Sequence, residues 1–349
     1  RTGRMRPGVL RPYIGYGTNE RFFLRGRVIE DPRLSQLSPG ASRWQNFVTM
    51  IKRYLSDAIP ATEVHTRYGF QERTVETDDE GYFELSLPAS PAPVGQMDTG
   101  WRSVELKLIE PLKDGQSPAQ AVGKVLIPSA KAQFGVISDI DDTIVKTGAT
   151  NILRHVRTVL LNSAATRTPF VGVSAFYQAL AEGSEPSAGQ TINPVFYVSS
   201  SPWNLFDLFC DYLHLQQMPD GPIILRDFML EPGGWFKVGH DEHKTGAIEG
   251  LFMLYPQLEW ILIGDSGQRD AIIYRDIVKR HPGRVLAVYM RDVSRKEPHC
   301  EAWRAAEEIA DLGVQVVFDP HTLAAARNAA EHGWICASAL PAVEGRVAE

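Results

Sequence analysis

Phe134-Gly135-Val136-Ile137-Ser138-Asp139-Ile140-Asp141-Asp142-Thr143-Ile144-Val145 begins as a short apolar run rich in Val and Ile and stops at three carboxylates followed by a threonine. The run reads as a buried strand of an α/β sheet. Its acids then fall at the carboxyl end of the strand, the rim where open α/β sheets bind ligands. Asp139 and Asp141 are two residues apart, so an extended backbone past Asp139 leans both side chains toward the same space. Such a pair repels itself unless a cation sits between, and a hard, oxygen-preferring ion such as Mg²⁺ suits it while leaving room for a phosphate. One carboxylate is then available to attack phosphorus and the other to handle a proton. The plainer alternative is a strand running into a polar loop, where Asp and Thr serve as caps. Partners elsewhere in the chain decide between the two.

After Pro128 the sequence is a series of continuous apolar runs separated by helical segments, the pattern of a parallel sheet covered on both faces. The runs are 134–138, 195–198, 222–225, 260–263, 285–289 and 314–318. Helical patterns cover 152–161, 173–181, 203–213, 245–255, 270–280, 300–311 and 323–331. The expected fold of residues 131–349 is therefore a Rossmann-like α/β sheet. Too little sequence separates its early strands for a large cap domain.

Residues 21–130 look different. Short alternating strands (22–29, 63–68, 73–77, 82–87, 104–109 and 121–127) are spaced by turn signals such as Asp78-Asp79-Glu80-Gly81, which predicts a smaller β-sandwich. A helix over 43–55, starting after Ser42, would brace it. Residues 1–20, basic and rich in Gly and Pro, read as an extended arm.

Three further strand ends carry polar groups. Val198-Ser199-Ser200-Ser201-Pro202 offers a hydroxyl and a proline-opened helix start, a phosphate-binding arrangement or simply an N-cap. Gly239-His240-Asp241-Glu242-His243-Lys244 puts a lysine at a helix opening, where the helix dipole disfavours it unless an acid or phosphate is near. His240 and His243 are possible auxiliary groups there, and a solvated lysine is the plainer reading. Ile263-Gly264-Asp265-Ser266-Gly267-Gln268-Arg269-Asp270 supplies a second acid pair, suited to a metal ligand and an acid that orients coordinated water. An acid pair, a hydroxyl, a lysine and an acid pair at successive strand ends form one site more readily than four separate caps.

Composition narrows the setting. The chain has 349 residues, 44% of them hydrophobic, and a formal charge of -6 spread through its length, so no nucleic-acid-binding tail or polybasic anchor is expected. Cys210, Cys300 and Cys336 are odd in number and far apart, which argues against a disulfide framework or zinc site and for a reducing, cytoplasmic setting. Arg1-Thr2-Gly3-Arg4-Met5 has no apolar core for a secretory signal, although a chain without an initiator Met leaves a leader open. Glu231-Pro232-Gly233-Gly234-Trp235-Phe236-Lys237 reads either as core packing or as an aromatic loop making peripheral membrane contact.

In their order, Asp139-Ile140-Asp141-Asp142-Thr143, Ser199, Lys244 and Gly264-Asp265 to Asp270 resemble the motifs of the haloacid dehalogenase superfamily of phosphohydrolases. The longer matches 138–144, 197–203 and 263–270 resemble more closely the App1-type phosphatidate phosphatase catalytic domain, a relative of lipins. The resemblance implies a Mg²⁺-dependent phosphomonoesterase with Asp139 as nucleophile and Asp141 as general acid and base. It implies phosphoryl binding by Ser199 and Lys244, with Thr143 and Ser200 beside them. Mg²⁺ would be held by Asp139, the carbonyl of Asp141 and Asp265, with Asp270 supporting it through water. The implied substrate is phosphatidate or a related lipid phosphate. A phosphatase for protein, nucleotide or sugar phosphates remains an alternative, as does a non-catalytic phosphate-binding module whose β domain recruits an unidentified partner.

Overall fold

The structure, a computed structural model, describes residues 8–30, 58–90, 100–109, 118–140, 172–185, 192–201, 205–225, 243–266, 269–292 and 300–345. These fall into two compact units, residues 8–130 and 131–345. The helices expected over 43–55 and 152–161 lie outside the described residues, as do any cap inserted after residue 140 and the 231–237 loop.

The first unit contains β1 (Gly8–Pro12), β2 (Gly15–Gly17), β3 (Arg21–Glu30), β4 (Glu63–Tyr68), β5 (Gln71–Glu76), β6 (Tyr82–Pro88), β7 (Trp101–Leu108) and β8 (Gln120–Leu126). Alternation sets its inward face: Phe22, Leu24 and Val28 on β3, Val64 on β4, Leu85 on β6 and Val104, Leu106 and Leu108 on β7 join one buried cluster. Asp78 shapes the turn before β6, accepting through Oδ1 from the N–H groups of Glu80 and Tyr82 at 2.9 and 2.8 Å. Gly81 follows at φ 78, a left-handed conformation that favours glycine.

Two expectations are corrected here. Instead of two separate sheets packed as a sandwich, the strands form one eight-stranded sheet in the order β1-β3-β2-β8-β7-β4-β5, with β6 also paired to β3. The sheet curls on itself: Phe22 on β3 meets Tyr68 on β4 edge to face at 4.9 Å although other strands separate them in the order. Residues 8–17, read as part of an extended arm, are strands of this sheet. The link is β2, antiparallel to β3 and parallel to β8, which joins what would otherwise be two layers. Its Gly-Tyr-Gly sequence follows from close approach, since a Cβ on Gly15 would lie 2.1 Å from the Phe23 carbonyl oxygen and one on Gly17 2.3 Å from that of Arg21. Backbone does not yield as a side-chain tip does. Gly15→Ala is therefore expected to destabilise this unit by about 1–3 kcal/mol, read as a lower denaturant midpoint; an unchanged midpoint would show that β2 is not needed to close the sheet.

The second unit is a six-stranded parallel sheet of β9 (Gly135–Asp139), β10 (Val195–Val198), β11 (Ile223–Ile224), β12 (Trp260–Asp265), β13 (Val285–Arg291) and β14 (Gln315–Asp319), in the order β11-β10-β9-β12-β13-β14. Its helices are α1 (Val173–Glu182), α2 (Phe206–Leu215), α3 (His243–Leu254), α4 (Asp270–Arg280), α5 (Cys300–Asp311), α6 (Thr322–Glu331) and α7 (Leu340–Gly345). Every residue of β10 is buried, as are the first four of β9, which requires cover on both faces and explains their unbroken apolar sequences. On one face Phe252 of α3 stacks on Trp260 of β12 at 5.6 Å. On the other, Phe176 of α1 packs on Tyr289 of β13 at 5.8 Å, and Asn328 of α6 accepts a hydrogen bond from the Tyr289 hydroxyl. Burying a side chain such as Phe252 stabilises by about 1.5–3 kcal/mol relative to leaving it in water. Among the described residues no helix is long and apolar enough to cross a membrane.

Candidate active site

Strand order places the acids. The sheet winds one way from β9 through β10 to β11 and the other way from β12 to β14, so β9 and β12 flank the point where the winding reverses. A crevice opens at the carboxyl ends of the strands on either side of such a point. Register levels the strand ends there: Asp139 of β9 pairs with Val198 of β10, Ser138 with Ile263 of β12, and Asp265 of β12 with Arg291 of β13. Asp139, Ser199, Asp265 and Arg291 consequently stand along one rim.

At its centre, three groups from distant parts of the sequence come into contact. Lys244, in the first turn of α3, donates through Nζ to Asp139 Oδ1 at 2.9 Å and to Asp270 Oδ1 at 2.5 Å. The side chains of Lys244, Asp139 and Asp270 are only 4%, 3% and 0% exposed. An ammonium so deeply buried, near the positive end of a helix, requires carboxylate partners. Asp270 opens α4, and its Oδ2 faces the backbone N–H of Asp265 at 3.4 Å. Gly264 makes this approach possible, since a Cβ there would come within 2.7 Å of Asp270 Oδ2 and 3.0 Å of Tyr274 Cε2.

Negative charge is in excess at this rim. Burial, followed by the repulsion of Asp270, pushes the Asp139 carboxyl up to about 8 despite the opposing pull of Lys244. Asp139 and Asp265 line one cavity together with Tyr177 and Arg291. A buried oxygen-rich site short of positive charge fits a hard divalent cation. Among the described residues, Asp139 and Asp265 at the strand ends line this cavity and offer carboxylate oxygens to such an ion. Both oxygens of Asp270 face protein donors, which suits it to orient its neighbours rather than to ligate directly. Among the described residues no group of three or more His, Cys, Asp or Glu side chains is arranged to hold an ion; Asp141, whose carbonyl belongs to the expected set, lies outside them.

Ser199 is fully buried; its N–H donates to the Ile224 carbonyl at 3.0 Å and its Oγ accepts from the N–H of Ser201 at 3.0 Å. The hydroxyl thus shapes its own turn, which matches the plainer capping reading as well as a phosphate-facing one. Ser200 is exposed beside it. His243 is buried next to Lys244, while Thr143 and His240 lie outside the described residues.

Two neighbours were not singled out from the sequence. Tyr177 of α1 shares a 2.7 Å hydrogen bond with Ser138 Oγ, which donates to the Asp139 carbonyl at 3.0 Å and so steadies the strand end. Burial raises its hydroxyl to about 12, keeping it protonated. Arg291, at the end of β13, brings a guanidinium nitrogen to 3.8 Å from Asp265 Oδ2. The rule applied to the other strand ends would have found Arg291; Tyr177 reads as one more core aromatic of an amphipathic helix.

Fold and site together define a doubly wound α/β protein with an acid–lysine cluster at the reversal of its strand order. Residues 134–292 match the family described as Phosphatidate phosphatase APP1, catalytic domain. Phosphatidate phosphatase APP1 of Saccharomyces cerevisiae is 31% identical over 159 residues, 45% of this chain and 26% of that protein. An uncharacterized protein of Schizosaccharomyces pombe is 26% identical over 300 residues, 83% of this chain and 44% of that protein. The second likeness is longer than the parallel-sheet unit and so extends into the N-terminal one. The chain spans about a quarter and under half of the lengths of these two relatives. Among solved structures, a carbohydrate acetylesterase from Xanthomonas citri is similar at a TM-score of 0.26 and 12% identity, covering 88% of this chain and 66% of that one. A likeness that weak carries no argument.

Proposed function

We propose that the parallel-sheet unit is a Mg²⁺-dependent phosphomonoester hydrolase of the haloacid dehalogenase type, acting through an aspartyl-phosphate on Asp139, with phosphatidate or a related lipid phosphate as substrate. The observation that carries this reading is the Asp139–Lys244–Asp270 contact at the reversal point, within the segment similar to the APP1 catalytic domain. The N-terminal sheet is accessory, because every group assigned to the chemistry belongs to the second unit.

In the proposed reaction an Asp139 oxygen attacks phosphorus in line with the ester oxygen. The P–O bond to the substrate breaks as Asp141 gives its proton to the departing alkoxide. Asp141 then takes a proton from water, the water oxygen attacks phosphorus, and cleavage of the bond to Asp139 frees inorganic phosphate. Lys244 neutralises the acids around the nucleophile and, with the Ser199 hydroxyl, faces the transferring group. Asp270 holds Lys244 in place. A bound Mg²⁺ supplies charge neutralisation at the phosphoryl oxygens, with Asp139 and Asp265 among its holders.

Phosphate release from phosphatidate in detergent micelles is expected to require Mg²⁺ and to exceed release from soluble sugar phosphates, nucleotides and phosphopeptides. Faster turnover of a soluble ester would move the assignment to another phosphatase class. No release from any of them would favour a binding module.

A further inference from the structure

We propose that Arg291 is a substrate-binding residue that holds non-bridging oxygens of the phosphoryl group from the side of the rim opposite Ser199. The inference rests on reading this site as phosphoryl-binding and adds a group that the motif pattern does not contain. Strand order supplies the geometry. Along the rim run β10, β9, β12 and β13, carrying Ser199, Asp139, Asp265 and Arg291 in turn. Neighbouring strands are spaced about 4.8 Å apart, so the backbones of the outer two stand about 14 Å apart with the acids between them. The guanidinium of Arg291 comes to 3.8 Å from Asp265 Oδ2 at the end of β12, and Arg291 is among the residues lining the cavity that Asp139 also lines.

Charge gives the reason. Lys244 already lies between two carboxylates, so its ammonium is largely spent on them. A phosphomonoester brings more negative charge to a rim where Asp139, Asp265 and Asp270 are gathered, and a fixed cation within reach adds to what a bound Mg²⁺ would offset. Arg291 is the described arginine on the wall of this cavity, its side chain 27% exposed and thus open to a ligand from solvent. A planar guanidinium matches two phosphate oxygens at once, which an ammonium does not. The β13 strand fixes its base: the Arg291 carbonyl accepts from the N–H of Ser266, tying the strand end to the loop after Asp265.

The test uses the full chain and inorganic phosphate as probe, with binding measured by calorimetry in the presence of Mg²⁺. Arg291→Met is expected to weaken phosphate binding about 10–100-fold, the range of a lost charge-assisted contact, with Arg291→Lys falling between it and the parent. KM for the hydrolysed ester should rise by a similar factor while kcat changes less, and Mg²⁺ affinity should not fall, since removing a cation 3.8 Å from Asp265 leaves that carboxylate at least as available to the ion. Unchanged phosphate affinity in a folded Arg291→Met protein overturns the proposal. So does a loss confined to Mg²⁺ affinity, which would make Arg291 a partner of Asp265 alone. If Arg291→Met does not fold, the Lys variant decides: parent-like phosphate affinity and KM overturn the proposal. Phosphate binding is read without turnover, so a chain that binds phosphate through Arg291 but hydrolyses no ester would sink the proposed reaction and leave this inference standing.

Discussion

Asp139→Asn is expected to lower phosphomonoester turnover by at least about 10⁴-fold, the scale seen when an enzyme loses a nucleophile or a member of its catalytic unit. The amide has nearly the size of the carboxylate, so the crevice keeps its shape, but its weakly nucleophilic oxygen does not form an acyl phosphate. The variant should remain folded. Asp139 is a buried acid whose carboxyl is pushed up to about 8 by burial and by Asp270, so its surroundings already disfavour the ionised form and accept a neutral amide, at the cost of one partner for Lys244. Two measurements separate chemistry from folding: phosphate release with Mg²⁺, and the thermal midpoint of the same preparation. Near-parental turnover in the variant would mean that phosphorus is attacked by some other group. An inactive variant that has also unfolded would be uninformative about the nucleophile, and Asp139→Glu, which keeps the charge but moves the oxygen by a methylene, then carries the test: it too should be strongly impaired.

Much of the parallel sheet was legible because its strands are buried on both faces. Burial on both faces removes the polar half of the usual alternation, and runs such as Val195 to Val198 and Trp260 to Ile263 stand out for that reason. Acids at the ends of such runs were legible too. What no local pattern contains is the order in which the strands are laid side by side. Lys244 is far from Asp139 in sequence and meets it only because α3 leads into β12, which pairs beside β9. The first unit was harder to read. Three residues of β2 are too few for a pattern, and the requirement for Gly15 and Gly17 comes from strands packed against them, a tertiary fact. Two sheets and one curled sheet also present the same alternating sequence, and the difference rests on that short bridging strand. Arg291 ends an apolar run as the acids do, but was passed over because an arginine there is ordinarily solvated; register with Asp265 sets it at the same rim.

Lys244→Met should combine a functional and a structural loss. Removing one charge-stabilising group from a phosphoryl or oxyanion site costs about 10²–10³-fold in rate, and here the same ammonium also holds two acids together, so a loss of about 10³-fold or more is expected. Stability should fall with it. Breaking a buried ion pair by deleting one partner costs about 3–5 kcal/mol, because the other charge is left uncompensated; in this site two carboxylates, Asp139 and Asp270, are left facing each other. For a unit of this size that corresponds to a fall in Tm on the order of 10 °C. The two losses are separable by a second change. Adding Asp270→Asn to Lys244→Met removes one of the stranded charges, so the double variant should recover part of the lost Tm, with a coupling on the order of 1–3 kcal/mol in a double-mutant cycle. It should recover none of the lost turnover, because the group facing the phosphate is still missing. Additive effects on Tm would show that Lys244 and Asp270 do not interact in solution, and the central contact of the proposed site would then be wrong.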